Sequence, residues 1–496
     1  MTHSSIACSC LVALAACTDP AKQPAPPPPP PVLREITGAA TYVSVDESGR
    51  ASTFPIGLHD TLVSAQFPAG DGFDVREGIS NADGTFSIAG APDGDYWLDV
   101  YDVPSGSRQL LWTNATVLAF DEHALGRGDV VVGSPGTTLT FGPIDGLDPV
   151  QADDGLQLAS GNLGLGFNLF GALTETATSL QSTRPWAGLP LVSAAKGDHL
   201  ILTQLRQQQD PATGISYVSP IKSATLSSIE QVDGQDTAVT GAFTTPPSLD
   251  YDLRWNRSEF DAASAEIRPS SVGPAGSQTF LFRAMPGGTM FGTSPLAPIV
   301  LALDTSALTT TADLDVPFTL SNPYPASWLF NDFVMTYPVT LDVPGVPGST
   351  VQLGVNIETN TNELPSASHP IRPLVSPPRS PTIGGLDLFG DHDGVGLTPS
   401  IAWQKPAVGE PTAYILTIER WELQVGDASL APVASLVVPG DVTSVRMPAR
   451  VLQPGEHYLM QIAAVTQQGQ DVRVHSLYPM SIPYGFAAAI TGTFSP

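Results

Sequence analysis

Short runs of alternating apolar and polar residues fill the chain from residue 34 to its end. Alternation with a period of two places every second side chain on one face of a β-strand. Glycine, proline, asparagine and aspartate interrupt the runs about every 8–12 residues, a spacing typical of sandwiches and barrels. The pattern predicts an all-β protein made of tandem β-sandwich domains, with short helices near residues 171–181 and 258–267.

Residues 81–100 contain the clearest local pattern. Two Asp-Gly pairs supply turns, and alternating apolar residues follow each of them. The run resembles the carboxypeptidase regulatory-like domain, a prealbumin-type sandwich. The resemblance implies such a sandwich over residues 34–134, with no catalytic residues. The matching residues are Asp83, Gly84, Phe86, Ile88, Gly90, Gly94, Tyr96, Leu98 and Val100.

The C-terminal hundred residues carry the most specific fold signal. They contain a tryptophan before a turn, a strand that begins with tyrosine, and a Leu-x-Pro-Gly-x-x-Tyr sequence. These features resemble a fibronectin type III domain and its tyrosine corner, which implies such a sandwich over residues 383–496. A fibronectin type III fold does not by itself indicate which ligand is bound. The matching residues are Trp403, Tyr414, Leu416, Ile418, Leu452, Pro454, Gly455 and Tyr458.

The middle of the chain carries strand-like runs without a recognisable family pattern. We expect β domains of unassigned fold over residues 135–248 and 249–382, with the division near Pro246–Ser248.

The N-terminus differs from the rest of the chain in its pattern of residues. An apolar run over residues 6–16 has the length of a signal-peptide core and ends in Leu14-Ala15-Ala16-Cys17. This resembles the lipobox of bacterial lipoproteins, which implies removal of residues 1–16 and attachment of lipid to Cys17. A generic signal peptide with an incidental cysteine is the alternative.

Residues 17–33 include six consecutive prolines at positions 26–31. Such a run adopts extended polyproline II and acts as a semi-rigid spacer. We therefore expect an exported protein, anchored by lipid in the bacterial cell envelope, at the outer membrane or cell surface.

Composition narrows the class of protein further. With 21 basic and 48 acidic residues, the 496-residue chain has a formal net charge of −27. Nucleic acid is a polyanion bound mainly by Lys and Arg, so this charge argues against DNA or RNA as a partner. The cysteines are Cys8, Cys10 and Cys17, so we expect the mature protein to fold without disulfides.

Catalytic motifs are missing from the sequence. It has no HExxH pair, no GxSxG elbow and no Walker A loop. We expect a protein that is not an enzyme. A catalytic triad or carboxylate pair assembled from residues far apart in the sequence stays an alternative, because the residues of such sites need not be close together in the chain.

Asp387, Asp391 and Asp393 lie in an Asp- and Gly-rich run that resembles half of a calcium-binding loop. An interdomain turn is the alternative. Calcium is the one cofactor that the sequence suggests.

Aromatic residues on the outer parity of two strands suggest a carbohydrate surface. Trp97 and Tyr101 lie on the face of their strand opposite Tyr96 and Leu98. Trp421 likewise lies opposite Leu416 and Ile418 in a later strand. Exposed rings of this kind stack on sugars, although such aromatics also pack against neighbouring domains.

The leading functional hypothesis is a non-catalytic envelope lipoprotein that presents β-sandwich modules for structural, adhesive or protein-binding roles. A surface lipoprotein that binds polysaccharide is the first alternative. An envelope hydrolase with its site in the middle region is the second.

Overall fold

The computed structural model describes residues 33–169, 173–286, 289–290, 297–304, 312–424, 427–469, 471–475 and 480–496. Strand accounts for 55% of the chain and helix for 3%, which confirms the all-β prediction. Leu33–Pro496 form one compact unit.

The N-terminal segment is made of strands that alternate between two facing sheets. They are β1 (Arg34–Val45), β2 (Ala51–Pro55), β3 (Thr61–Ala69), β4 (Gly72–Glu77), β5 (Ile79–Ser80), β6 (Thr85–Ala91), β7 (Tyr96–Asp102), β8 (Ser107–Thr113) and β9 (Val117–Leu125).

The next segment also consists of β-strands. They are β10 (Thr138–Asp145), β11 (Gly155–Ser160), β12 (Leu165–Asn168), β13 (Ser179–Pro185), β14 (Leu200–Gln209), β15 (Ser216–Leu226) and β16 (Asp236–Ala242). A single 3-10 turn, Ala194–Lys196, precedes β14.

The third segment contains the α-helix α1 (Arg257–Ser264), a 3-10 turn (Ala326–Trp328) and further strands. The strands are β17 (Ser248–Trp255), β18 (Ser277–Ala284), β19 (Thr289–Met290), β20 (Ile299–Leu303), β21 (Leu314–Ser321), β22 (Leu329–Asp342) and β23 (Thr350–Thr361).

The C-terminal segment completes the chain. Its strands are β24 (Arg379–Ile383), β25 (Leu386–Asp387), β26 (Ser400–Gln404), β27 (Ala413–Gln424), β28 (Asp427–Pro439), β29 (Ser444–Arg446), β30 (Tyr458–Thr466), β31 (Met480–Ser481) and β32 (Tyr484–Ile490).

The two helix predictions have different outcomes. Helix α1 (Arg257–Ser264) overlaps the predicted range 258–267, and its residues Phe260 and Ala263 share a buried face. The helix predicted over 171–181 is wrong in its described part, because Ser179–Pro185 pairs with β10 as a strand.

The C-terminal segment has the two-sheet arrangement of a fibronectin type III sandwich. One sheet has the order β25-β24-β26-β29, and the facing strands run β32-β30-β27-β28. Trp403 packs edge-on against Tyr414 between them, with ring centroids 5.0 Å apart. The hydroxyl of Tyr458 accepts a 2.9 Å hydrogen bond from the main-chain N–H of Gln453. This bond is the tyrosine corner, so the predicted fibronectin-like fold is confirmed.

One large sheet passes through all four segments. It joins sixteen of the described strands in the order β12-β11-β14-β15-β20-β18-β22-β23-β32-β30-β27-β28-β8-β7-β3-β4. Both outer strands of the fibronectin-like sheet are thereby paired with strands from elsewhere in the chain: β28 with β8, and β32 with β23. The predicted divisions at residues 134, 248 and 382 stay predictions.

The hydrophobic core follows this shared sheet. The largest cluster of buried residues extends from Trp97 in the N-terminal segment to Phe494 near the C-terminus. Smaller clusters fill the interiors of the first two segments. The segments therefore share buried surface with one another.

Candidate functional site: a cleft in the N-terminal sandwich

The interior of the N-terminal sandwich is open at one end. One wall comes from β1, β6 and β9, and the other comes from β3, β7 and β8 at the end of the large sheet. The gap between them has a volume of about 530 Å³. We call it the N-terminal cleft. Its size falls within the range of small-molecule sites, about 300–1,000 Å³.

The strand register explains why the sandwich is filled at one end and open at the other. The inward-facing side chains of β3, β7 and β8 form rows that run across the three strands. The first row consists of Ala65, Leu98 and Leu111, which are buried in the core. The outermost row consists of a threonine, an aspartate and a serine, which are too small and too polar to close the gap. That row is Thr61, Asp102 and Ser107.

The cleft combines an apolar interior with an acidic mouth. Phe86 and Phe120 form an aromatic wall with ring centroids 6.0 Å apart. Asp102, Asp121 and Glu122 supply carboxylates, and the lining contains neither lysine nor arginine. Glu122 is exposed, whereas Asp102 is half-buried. The lining therefore presents a negative potential beside an apolar surface.

Two neighbouring groups respond to this environment. Partial burial lowers the pKa of His123 despite the opposing charge of Asp121, so the imidazole is mainly neutral at pH 7. Burial and the charge of Glu122 both raise the pKa of Tyr42. The hydroxyl of Thr41 donates to Asp121, which orients that carboxylate.

Sequence reasoning missed the cleft. Its residues are scattered over six strands, and their types (Ala, Val, Phe, Thr, Asp) also suit ordinary sandwich cores and turns. The turn at Asp83 and Gly84 was predicted correctly and helps to shape the adjoining wall, since Asp83 Oδ1 accepts from the N–H of Thr85 at 3.0 Å.

Trp97 lies far from solvent, contrary to the row of exposed aromatics that the sequence suggested. It is on the predicted outer face of β7 but is 0% exposed. Its ring packs edge-on against Trp112, with centroids 5.0 Å apart. The strand parity was right, but that face of β7 is covered by the C-terminal segment.

Trp421 is also buried, with 4% of its surface exposed. Leu459, on the neighbouring strand and of the same parity as Trp421, is fully buried as well, so β27 and β30 are covered on both faces. Tyr101 is half-exposed beneath the guanidinium of Arg108, 5.5 Å from the ring centroid. The three rings therefore form no open surface on which a sugar could stack.

The acidic run at residues 387–393 contacts the end of the chain. Asp391 accepts from the N–H of Thr493 at 2.8 Å, and Asp393 accepts from the hydroxyl of Ser495 at 2.7 Å. Asp387 accepts from the N–H of Phe389 at 3.1 Å. Within the described parts of the chain, no group of three acidic, His or Cys residues could hold a metal ion. Calcium binding at this turn stays a prediction.

Cys17, the predicted lipid attachment, lies outside the described residues, as does the proline tether. Among the residues that the structure describes, no helix is long and apolar enough to cross a bilayer.

The middle region contains a pair of carboxylates, one buried (Asp332) and one half-buried (Glu358), that the sequence did not reveal. Asp332 on β22 and Glu358 on β23 lie on the same face of the sheet, close to Arg283. Burial, reinforced by the charge of Asp332, raises the pKa of Glu358 to about 7. Neither carboxylate lines the N-terminal cleft or the small apolar cavity beside Trp328. Buried ion-pair networks shift pKa values without any catalytic role.

Similarity of this chain to known proteins is weak. No family model matches it, and no curated protein does. The FN1–FN3 domains of chicken CNTN1 match at 8% identity over 92% of this chain and 99% of that chain, with a TM-score of 0.13. A tetra-tandem repeat from the extending region of a large adhesion protein matches at 12% identity over 92% and 99%, with a TM-score of 0.12.

The pilus adhesin SpaC from Lactobacillus rhamnosus GG matches at 12% identity over 71% of this chain and 41% of that chain, with a TM-score of 0.12. TM-scores this low carry no argument about shared architecture.

Proposed function

We propose that the protein is a non-catalytic lipoprotein of the bacterial cell envelope that holds its β modules as one rigid body for structural, adhesive or protein-binding work. The observation that carries the proposal is the large sheet, which pairs both outer strands of the fibronectin-like module with strands of other segments. Modules joined by one sheet keep a fixed orientation relative to one another, which a scaffold that presents binding surfaces requires.

Side-chain contacts at the junctions support the same conclusion. Arg127 bridges the first two segments through a bidentate pair with the buried carboxylate of Asp198, at 2.9 Å for each bond. The hydroxyls of Thr203 and Tyr324 lie 3.0 Å apart and join the second segment to the third. Buried polar contacts of this kind fix one relative orientation, because breaking them leaves unpaired groups.

The anchor is tested by fractionating cells that express the full chain. Cys17→Ser should move the protein from the membrane fraction to the soluble fraction, because the lipid-bearing thiol is lost. Cys10→Ser, in the segment predicted to be removed, is the matched control and should leave the protein with the membrane. A Cys17→Ser protein that stays with the membrane would refute the lipoprotein proposal.

A further inference from the structure

We propose that the N-terminal cleft is a binding site for a small amphiphilic cation, an organic ammonium group attached to an aromatic or aliphatic body. The cleft is an opening in the sandwich interior of about 530 Å³, with apolar walls and carboxylates at its mouth. The inference is independent of the lipid anchor and of the scaffolding role.

The apolar walls determine the body of the ligand. Ala40, Val63 and Val100 line the cleft together with Phe86 and Phe120. The two phenyl rings present a wall against which an aromatic or aliphatic group can be buried, which removes apolar surface from water.

The acidic mouth determines the charge of the ligand. Asp102 enters from β7 and Glu122 from β9, which belong to the two opposing sheets. A ligand between the walls therefore meets carboxylates from both sides, and the lining contains no lysine or arginine that would attract an anion. An ammonium group next to Phe120 would also gain from the negative face of an aromatic ring.

Neutral polar groups complete the site. Thr61, Ser107 and Gln109 lie along the rim and the wall of the large sheet, where they can hydrogen-bond to an amine or hydroxyl group. Mostly apolar pockets with a few convergent polar groups are typical of small-molecule sites.

Three probes with the same body but different charge test the assignment: 4-phenylbutylamine, 4-phenylbutanol and 4-phenylbutyrate. Binding to the full chain is measured by isothermal titration calorimetry at low salt. The amine should bind about three- to tenfold more tightly than the alcohol, and the carboxylate most weakly, because charge pairs at partly exposed sites contribute modestly. Added salt should reduce the preference for the amine.

Variants then locate the site. Asp102→Asn and Glu122→Gln should each weaken amine binding about threefold while leaving binding of the alcohol unchanged. Asp60→Asn removes an exposed carboxylate that does not line the cleft and should have no effect on either probe. Thr61→Phe should fill the mouth and reduce binding of both probes.

The proposal is overturned by any of three results: no binding of any probe, equal binding of the three probes, or an Asp60→Asn effect as large as that of Asp102→Asn. Circular dichroism of each variant distinguishes loss of the site from loss of the fold.

Discussion

The indole Nε1–H of Trp97 donates a 2.9 Å hydrogen bond to the main-chain carbonyl oxygen of Arg446. The two residues are 349 positions apart in the chain, one in the N-terminal sandwich and the other at the end of β29. A fully buried tryptophan thus joins the first segment to the last. Nearby, Gln66 accepts a 2.8 Å hydrogen bond from the N–H of Ala449.

Trp97→Ala should be strongly destabilising. Truncating a fully buried tryptophan costs about 3–5 kcal/mol, because apolar contacts are lost and a cavity remains. Trp97→Phe keeps most of the bulk but leaves the Arg446 carbonyl without its donor, and should cost less. Denaturant unfolding followed by circular dichroism measures both changes in the free energy of unfolding.

Leu62→Ala is the control for that series, because Leu62 is on the adjacent strand but 61% exposed. Its effect should be within about 0.5 kcal/mol of zero, as for most surface substitutions. If Trp97→Ala is no more destabilising than Leu62→Ala, Trp97 does not lie in a buried junction between the first and last segments.

The ion pair between Arg127 and Asp198 gives a second prediction. The carboxylate of Asp198 has no exposed surface, so Arg127→Met leaves a buried charge unpaired and should cost about 3–5 kcal/mol in unfolding free energy. Lys196→Met is the matched control, since Lys196 pairs with the largely exposed Asp129 and should cost about 0–1 kcal/mol. Equal effects in thermal or chemical unfolding would contradict a structural role for the buried pair.

Tyr458→Phe tests the tyrosine corner. The substitution removes only the hydroxyl that accepts from Gln453, while the ring can still stack on Phe494 at a centroid distance of 6.0 Å. We expect a loss of about 1–2 kcal/mol in the free energy of unfolding, because a partly buried N–H loses its partner. A stability equal to that of the natural protein would show that the corner contributes nothing.

The raised pKa of Glu358 predicts how stability changes with pH. Its value is about 7 in the folded chain, against a reference of 4.5, so the folded state holds the proton more tightly than the unfolded state. The stabilisation is complete below about pH 4.5 and is lost as the pH rises through about 7, a change of about 3 kcal/mol. Glu358→Gln should remove this loss, so that the variant is the more stable protein at pH 8.

The control for this pH series is Glu410→Gln, because the side chain of Glu410 is 84% exposed. Chemical unfolding at several pH values between about 5 and 8 should show that this variant follows the natural protein. A Glu358→Gln variant with an unchanged pH profile would mean that Glu358 ionises normally in the folded state.

What the sequence could predict was local. The turn at Asp83 and the corner at Tyr458 depend on neighbouring residues, and both form as expected. The alternation of β7 also placed Trp97 on the correct face. A period-two pattern assigns a residue to a face but not what covers that face, so the burial of Trp97 and Trp421 could not be predicted.

The pairing between segments was equally hidden. β8 runs parallel to β28, with Leu110 opposite Leu436, and no feature of either strand identifies a partner more than 300 residues away. The N-terminal cleft is hidden for a related reason: it arises from an outer row of small and polar residues that sequence reasoning takes for the end of a strand.

Calorimetry of the compact unit, residues 33–496, tests the fused body most directly. Because the segments share a sheet and a core, we predict one main transition in which the calorimetric enthalpy divided by the van 't Hoff enthalpy is about one. Trp97→Ala should move that whole transition to lower temperature. Several separate transitions, of which Trp97→Ala shifts only one, would show that the modules unfold independently and do not form one fused body.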